Sequence, residues 1–217
     1  MIKAIIFDMD GTLVDSEYRA MMNKKKVLEK NGVVWNHDLW QLLTGRKLKV
    51  VIDEVLTEYT PEQRQEVLDE YYKPEYHHVD YHAIKFPGSG TILQALNNNG
   101  YKLALCTTNS YDCIDQCLEE NHWRRLFSVI LGMGDVENTK PAPDIYLKAM
   151  ELLDVKPEET VIVEDSRIGL DAAIATGAHV ICREEKRFPV DQQGAEFYIT
   201  DLLSIMRIVN ELNEKEI

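Results

Sequence analysis

Asp8 and Asp10 flank a single methionine near the start of the chain, with Gly11 and Thr12 directly behind them. Two carboxylates this close repel unless one is protonated or a cation lies between them. Hard oxygen ligands of this kind suit Mg²⁺. The same residues would also end a strand for no chemical reason, since Asp favours turns. Three later stretches bear on the choice: Thr107-Thr108-Asn109, Lys140-Pro141-Ala142-Pro143-Asp144, and Glu164-Asp165-Ser166. Each alone is ordinary. Thr-Thr-Asn starts turns, a Lys-Pro pair is commonly a solvated loop, and Glu164-Asp165 would serve as a helix cap. Together they supply a carboxylate nucleophile, a hydroxyl, a lysine and metal carboxylates, in that order.

These residues need a frame that brings them to one place. Ala4 to Phe7 is a short apolar run bounded by turn residues, the pattern of a buried parallel strand. Gly11 supplies the backbone freedom for a tight turn after it. From Phe86-Pro87-Gly88 onward, helices and strands alternate. Strands are expected at Lys102–Cys106, Val129–Leu131, Thr160–Val163 and His179–Cys182. Helices are expected at Ser89–Asn99, from Ser110, and at Asp144–Leu153 and Ile168–Thr176. Such alternation builds a parallel sheet with helices on both faces. In open α/β sheets ligands bind at the C-terminal edge of the strands, and each of the four stretches lies at or beyond such an edge.

Between Ser16 and about Ile84 the pattern is helical only. Glu17–Asn31 and His37–Leu43 read as helices, Thr44-Gly45-Arg46 breaks the second, and Val51, Ile52, Val55 and Leu56 give helical spacing after Leu48. Thr60-Pro61-Glu62-Gln63 has the form of a capping box with proline at the first helical position. The expected fold is α/β: a Rossmann-like three-layer parallel sheet core, residues 1–15 and 85–217, with an inserted all-helical cap, residues 16–84.

The chain has 217 residues, 45% of them hydrophobic, and a formal net charge of −13. That balance argues against nucleic acid or an anionic membrane as partner. It also requires any anion site to bring its own positive charge, from a metal, a lysine or backbone amides. The opening residues read as neither a signal peptide nor a spanning helix, and no apolar run approaches membrane length. Cys106, Cys113, Cys117 and Cys182 have no zinc-site spacing and open no Cys-x5-Arg loop. The expectation is a reduced, cytoplasmic protein acting as a monomer. His77, His78 and His82 cluster without an acid or cysteine pattern to complete a metal site, and read as solvated.

The segments DMDGTLVDS, LCTTNS, KPAPD and VIVEDSRIGLDAA resemble the four signature motifs of the haloacid dehalogenase superfamily of phosphatases. The helical insert is similar to the small cap of its β-phosphoglucomutase and phosphoglycolate phosphatase branch. The resemblance implies Asp8 as nucleophile forming an aspartyl-phosphate, and Asp10 as general acid and then base. Asp10 is also the residue that the true dehalogenases lack. It implies a hydrogen bond from Thr107 to the phosphoryl group and charge neutralisation by Lys140. It implies Mg²⁺ held by Asp8, the Asp10 carbonyl and Asp165, with Glu164 on the metal or one step behind it. Substrate contacts fall on Thr108 and Asn109, and on Arg19, Gly45 and Arg46 of a cap that closes over the site. The substrate implied is a small phosphorylated metabolite. The branch's Lys-Gly-x-Ser-Arg segment is replaced here by Thr44-Gly45-Arg46-Lys47-Leu48, and its hinge histidine by Arg19. Both departures favour hydrolysis over a phosphomutase. A phosphomutase and a non-catalytic phosphometabolite-binding relative remain the two other readings.

Overall fold

The computed structural model describes residues 1–43, 47–77, 79–187 and 190–214. Strand β1 (Ala4–Phe7) is buried along its whole length. Its four consecutive apolar side chains alternate between two covered faces, which is why no polar residue interrupts them. It lies between β2 (Lys102–Cys106) and β4 (Thr160–Glu164), with Phe7 opposite Leu105 on one side and Val163 on the other. Beyond them lie β3 (Val129–Leu131), β5 (His179–Arg183) and β6 (Phe197–Ile199). All neighbours are parallel, in the order β3-β2-β1-β4-β5-β6.

The helices between β1 and β2 begin with α1 (Ser16–Lys30), α2 (His37–Leu43), α3 (Leu48–Val55), α4 (Pro61–Tyr71) and α5 (Pro74–His77). The later helices are α6 (Ser89–Asn98), α7 (Tyr111–Glu120), α8 (Asp144–Leu153), α9 (Arg167–Ala175) and α10 (Ser204–Glu214). On one face of the sheet, Ile6, Ala104, Ile162 and Val180 pack with Tyr146 and Ala149 of α8 and Leu170 and Ala173 of α9. On the other face α6 lies along β2 and against α10. The result is the three-layer α/β arrangement expected from the alternation. β6 was not among the expected strands. Its Phe-Tyr-Ile sequence is β-favouring, but three residues with an intermediate, exposed, buried pattern are too short to show a strand period.

The chain divides into two units. One comprises Met1–Asp15, Tyr81–Glu185 and Asp191–Ile217; the other comprises Ser16–Asp80 and Lys186–Val190. Tyr81, which opens the second segment of the first unit, is buried, and its amide donates to Glu120 at 2.7 Å. The short segment after β5 groups with the helices, and the Arg187 guanidinium lies 4.4 Å from the Tyr18 ring centroid.

Within the helical unit, Val27, Leu28, Leu43, Val51, Ile52, Val67 and Leu68 form the core. Both halves of the Thr60–Gln63 capping box form, at 3.3 Å and 2.8 Å. Of the histidines near the return to the sheet, His82 faces the Lys85 ammonium at 3.1 Å; His78 lies outside the described residues, as do Thr44, Gly45 and Arg46. All four cysteines are free. Among the described residues, no helix is long and apolar enough to cross a membrane.

Candidate active site

Asp8 continues β1 by one residue, its amide donating to Val163 O at 3.0 Å. The chain then turns sharply: Gly11 N donates to Val14 O at 2.8 Å, and Leu13 N to Met9 O at 2.9 Å. Gly11 has φ +73°, a conformation open to glycine at little cost. Space makes a second demand. A Cβ on Gly11 would lie 1.9 Å from Asp165 Oδ2, so the last carboxylate of the site rests directly on the first turn. The Thr12 hydroxyl donates to Asp165 Oδ1 at 3.3 Å.

Lys140, just ahead of α8, is 7% exposed. Its ammonium donates to Asp8 Oδ1 at 2.6 Å, Glu164 Oε1 at 2.7 Å and Cys106 O at 3.0 Å. Three acceptors use all three protons of an ammonium. Glu164, at the end of β4, is wholly buried. Its Oε1 also accepts from the Tyr146 hydroxyl at 2.6 Å. Its Oε2 accepts from the amides of Asp165 (2.9 Å) and Ser166 (3.2 Å) and from the Ser166 hydroxyl (3.2 Å). Ser166 also caps α9, accepting from Gly169 N. Thr107, at the end of β2, is buried, and its hydroxyl oxygen accepts from Asn109 N at 3.3 Å. The Asn109 side-chain amide donates to Asp10 Oδ2. Thr108 is exposed.

Residues 5–182 match the family model described as haloacid dehalogenase-like hydrolase. The chain belongs to the haloacid dehalogenase-like hydrolases. It is a hydrolase of the phosphatase type. A phosphorylated carbohydrates phosphatase of Thermotoga maritima is 29% identical over 188 residues, covering 81% of this chain and 82% of the relative. The pyrophosphatase PpaX of Bacillus mycoides is 28% identical, covering 76% and 75%. Among solved structures, CbbY from Rhodobacter sphaeroides in complex with phosphate aligns with TM-score 0.64 and 28% identity, covering 93% and 95%.

The charges of this haloacid dehalogenase-like site are not balanced by its own residues. Burial pushes the Asp8 carboxyl well above the usual carboxylate range; Lys140 opposes that shift, and the negative Glu164 and Asp10 add to it. Burial works against the charge on Lys140 too, yet Asp8 and Glu164 hold its ammonium above the usual lysine range. Burial alone would raise Glu164, but Lys140, Tyr146 and the Asp165 amide keep it below its usual value. The Tyr146 hydroxyl is pushed up by burial and then by Glu164. Burial likewise raises the Cys106 thiol, so this cysteine stays protonated and is no nucleophile.

One carboxylate oxygen from each of Asp8, Glu164 and Asp165 lies within 4.8 Å of the others. The donors are hard oxygens, and the Asp8 carboxyl carries an electrostatic penalty that a cation would relieve. The residues present therefore fit a hard divalent cation. Asp8 and Asp165 face that point. Glu164 contributes to it with its hydrogen-bonding capacity already filled.

The fold thus brings Asp8, Lys140, Glu164 and Asp165 together, with Asp10 tied to Asn109 and Thr107 one residue beyond the carbonyl that Lys140 grips. Arg19 lies on α1 of the helical unit. Gly45 and Arg46 lie outside the described residues. Sequence reasoning missed Tyr146, which looks like one more apolar position on α8. A fully buried tyrosine needs a hydroxyl partner, and that was the available signal. It also missed Gly169. A Cβ there would lie 1.9 Å from Glu164 Oε1, so the glycine is the space in which the carboxylate sits.

Proposed function

We propose that this hydrolase is a Mg²⁺-dependent phosphomonoesterase acting on a small phosphorylated metabolite through an aspartyl-phosphate. The carrying observation is the Lys140 ammonium held between Asp8 and Glu164, with Asp165 beside them. Asp8, Asp165 and the Asp10 carbonyl would hold the metal. When bound, Mg²⁺ supplies positive charge that ionises Asp8 and screens the phosphoryl oxygens.

The residues divide the work as follows. A carboxylate oxygen of Asp8 attacks phosphorus while the bond from phosphorus to the leaving oxygen breaks. Asp10, as the carboxylic acid, gives its proton to that oxygen, and the alcohol departs. Asp10, now a carboxylate, takes a proton from water as the water oxygen attacks phosphorus. The acyl-phosphate bond breaks, inorganic phosphate leaves, and Asp8 is restored. Lys140 and the Thr107 hydroxyl stabilise charge on the phosphoryl oxygens throughout. Glu164 holds Lys140 in place and offsets its charge before substrate arrives. Asn109 orients Asp10, and Thr108 borders the substrate. Arg19, Gly45 and Arg46 are assigned to the remainder of the substrate.

A sugar phosphate is the substrate class we favour. The Thermotoga relative named for phosphorylated carbohydrates supports it; the departures at Thr44–Leu48 and Arg19 bear instead on the reaction, favouring hydrolysis over phosphoryl return. Asp8→Asn should lower phosphate release from p-nitrophenyl phosphate by at least about a thousandfold, with circular dichroism unchanged. Turnover near the wild-type rate would remove the nucleophile.

A further inference from the structure

Asp10 and Asp165 sit on two separate turns, one after β1 and one after β4. The β1–β4 pairing and the Thr12 hydroxyl on Asp165 already join those turns from within the motifs; a second join lies outside both. Arg183, the last residue of β5, is 6% exposed. Its Nε donates to the Gly11 carbonyl, directly after Asp10. Its guanidinium lies 3.8 Å from the Phe86 ring centroid, and the terminal nitrogens reach Glu184 O at 3.4 Å and the Glu185 carboxylate at 3.5 Å. Gln192 takes the other turn. Its side-chain amide donates to the Asp165 carbonyl at 2.5 Å and to the Arg183 carbonyl at 2.9 Å. Its oxygen accepts from Glu185 N at 2.9 Å.

We infer that Arg183 and Gln192 form a clamp that preorganises the divalent-cation site, one gripping the main-chain carbonyl that follows Asp10 and the other the main-chain carbonyl of Asp165. The clamp rests on the cation-site reading above. Its logic is geometric. The Gly11 and Asp165 turns touch directly, because Asp165 fills the space a Cβ would take. That contact stops them approaching, and the 3.3 Å bond from Thr12 to Asp165 is a long, weak tie against their parting. Arg183 and Gln192 supply the tie from behind, and they are linked to each other through the Arg183 carbonyl. Burying an arginine is costly unless its donors and its flat face are met, and here carbonyls, a carboxylate and an aromatic ring meet them. Lysine has no Nε donor and no planar face, so it cannot substitute. Groups that orient metal ligands without touching the metal are worth about 10–100-fold in affinity.

The test uses the full chain without substrate, with Mn²⁺ as probe and the free-ion electron paramagnetic resonance signal as readout. Wild type should bind one Mn²⁺ saturably, and Asp165→Asn should abolish that binding. Gln192→Ala changes a half-buried side chain and should weaken Mn²⁺ about tenfold or more while the protein still melts cooperatively well above the assay temperature. Arg183→Lys should do the same, and Gln192→Ala alone decides if the lysine variant fails to fold. Folded variants that bind Mn²⁺ within about twofold of wild type, with Asp165→Asn still inactive in binding, would overturn the clamp and leave the cation site standing. Binding indifferent to Asp165→Asn would overturn both.

Discussion

Glu164 receives five hydrogen bonds in a wholly buried position. That number fills the about four lone-pair sites of a carboxylate. The space for it comes from Gly169, where a Cβ would overlap the carboxylate at 1.9–2.1 Å. Two effects then compete in Gly169→Ala. Alanine in a helix gains about 1 kcal/mol over glycine, whereas overpacking a filled site loses about 1–3 kcal/mol. The overlap here is with a fixed, charged group, so the loss should win. The expected outcome is a net destabilisation in urea unfolding and a fall in kcat of about tenfold or more, because the Lys140 partner is displaced. A gain in stability with unchanged kcat would mean that Glu164 relaxes freely. Acids, lysine and threonine at strand ends are visible in the sequence because those positions have a fixed meaning in an α/β sheet. The ties among Tyr146, Gly169 and Glu164 are not, because they depend on rotamers and on the absence of a methyl group.

The strands and helices of the sheet unit follow from the alternation of apolar runs and amphipathic stretches, and from glycines that close helices. What escaped was structure lacking such contrast. β6 is only three residues long, and the loop after β3 sets Met133 and Val136 singly among glycines and polar residues with no period. That loop is held by Asp135, which accepts from Gly132 N at 2.7 Å and from the Tyr111 hydroxyl, on the first turn of α7, at 2.6 Å. Partial burial opposes the charge, but those two donors hold the Asp135 carboxyl below the usual carboxylate range. A carboxylate lowered in the folded state stabilises above its unfolded value, near pH 4, and that contribution disappears as pH falls through the lower folded value. Asp135→Asn should therefore lose no more than about 1 kcal/mol at neutral pH. Its stability should also fall less than wild type's between about pH 5 and pH 2, as read by urea midpoints at each pH. Parallel pH curves would show that the loop is held by other contacts.

At the scale of the molecule, the formal charge of −13 and the acidic cluster act in the same direction. A cation that binds only the folded site stabilises it by mass action, about 2.7 kcal/mol at a hundred times Kd. For a chain of this length that corresponds to a rise in Tm of about 5 °C or more. Scanning calorimetry should show this rise with Mg²⁺, its reversal by chelator, and its absence in Asp165→Asn. An equal rise in that variant would assign the effect to general charge screening. A purely helical stretch interrupting an alternating one is visible in the sequence. The allegiance of Lys186–Val190 is not, since it rests on contacts such as Arg187 over Tyr18 that no local pattern encodes. The sheet order carries a last consequence, for the chain as it is made. Ala4 pairs with Lys102 on one side and Thr160 on the other. A ribosome adding about 5–20 residues per second therefore exposes this sticky quartet for on the order of ten seconds before both neighbours exist. The nascent polypeptide passes that interval with four apolar residues unpaired and the turn through Gly11 still without the Asp165 carboxylate that rests on it.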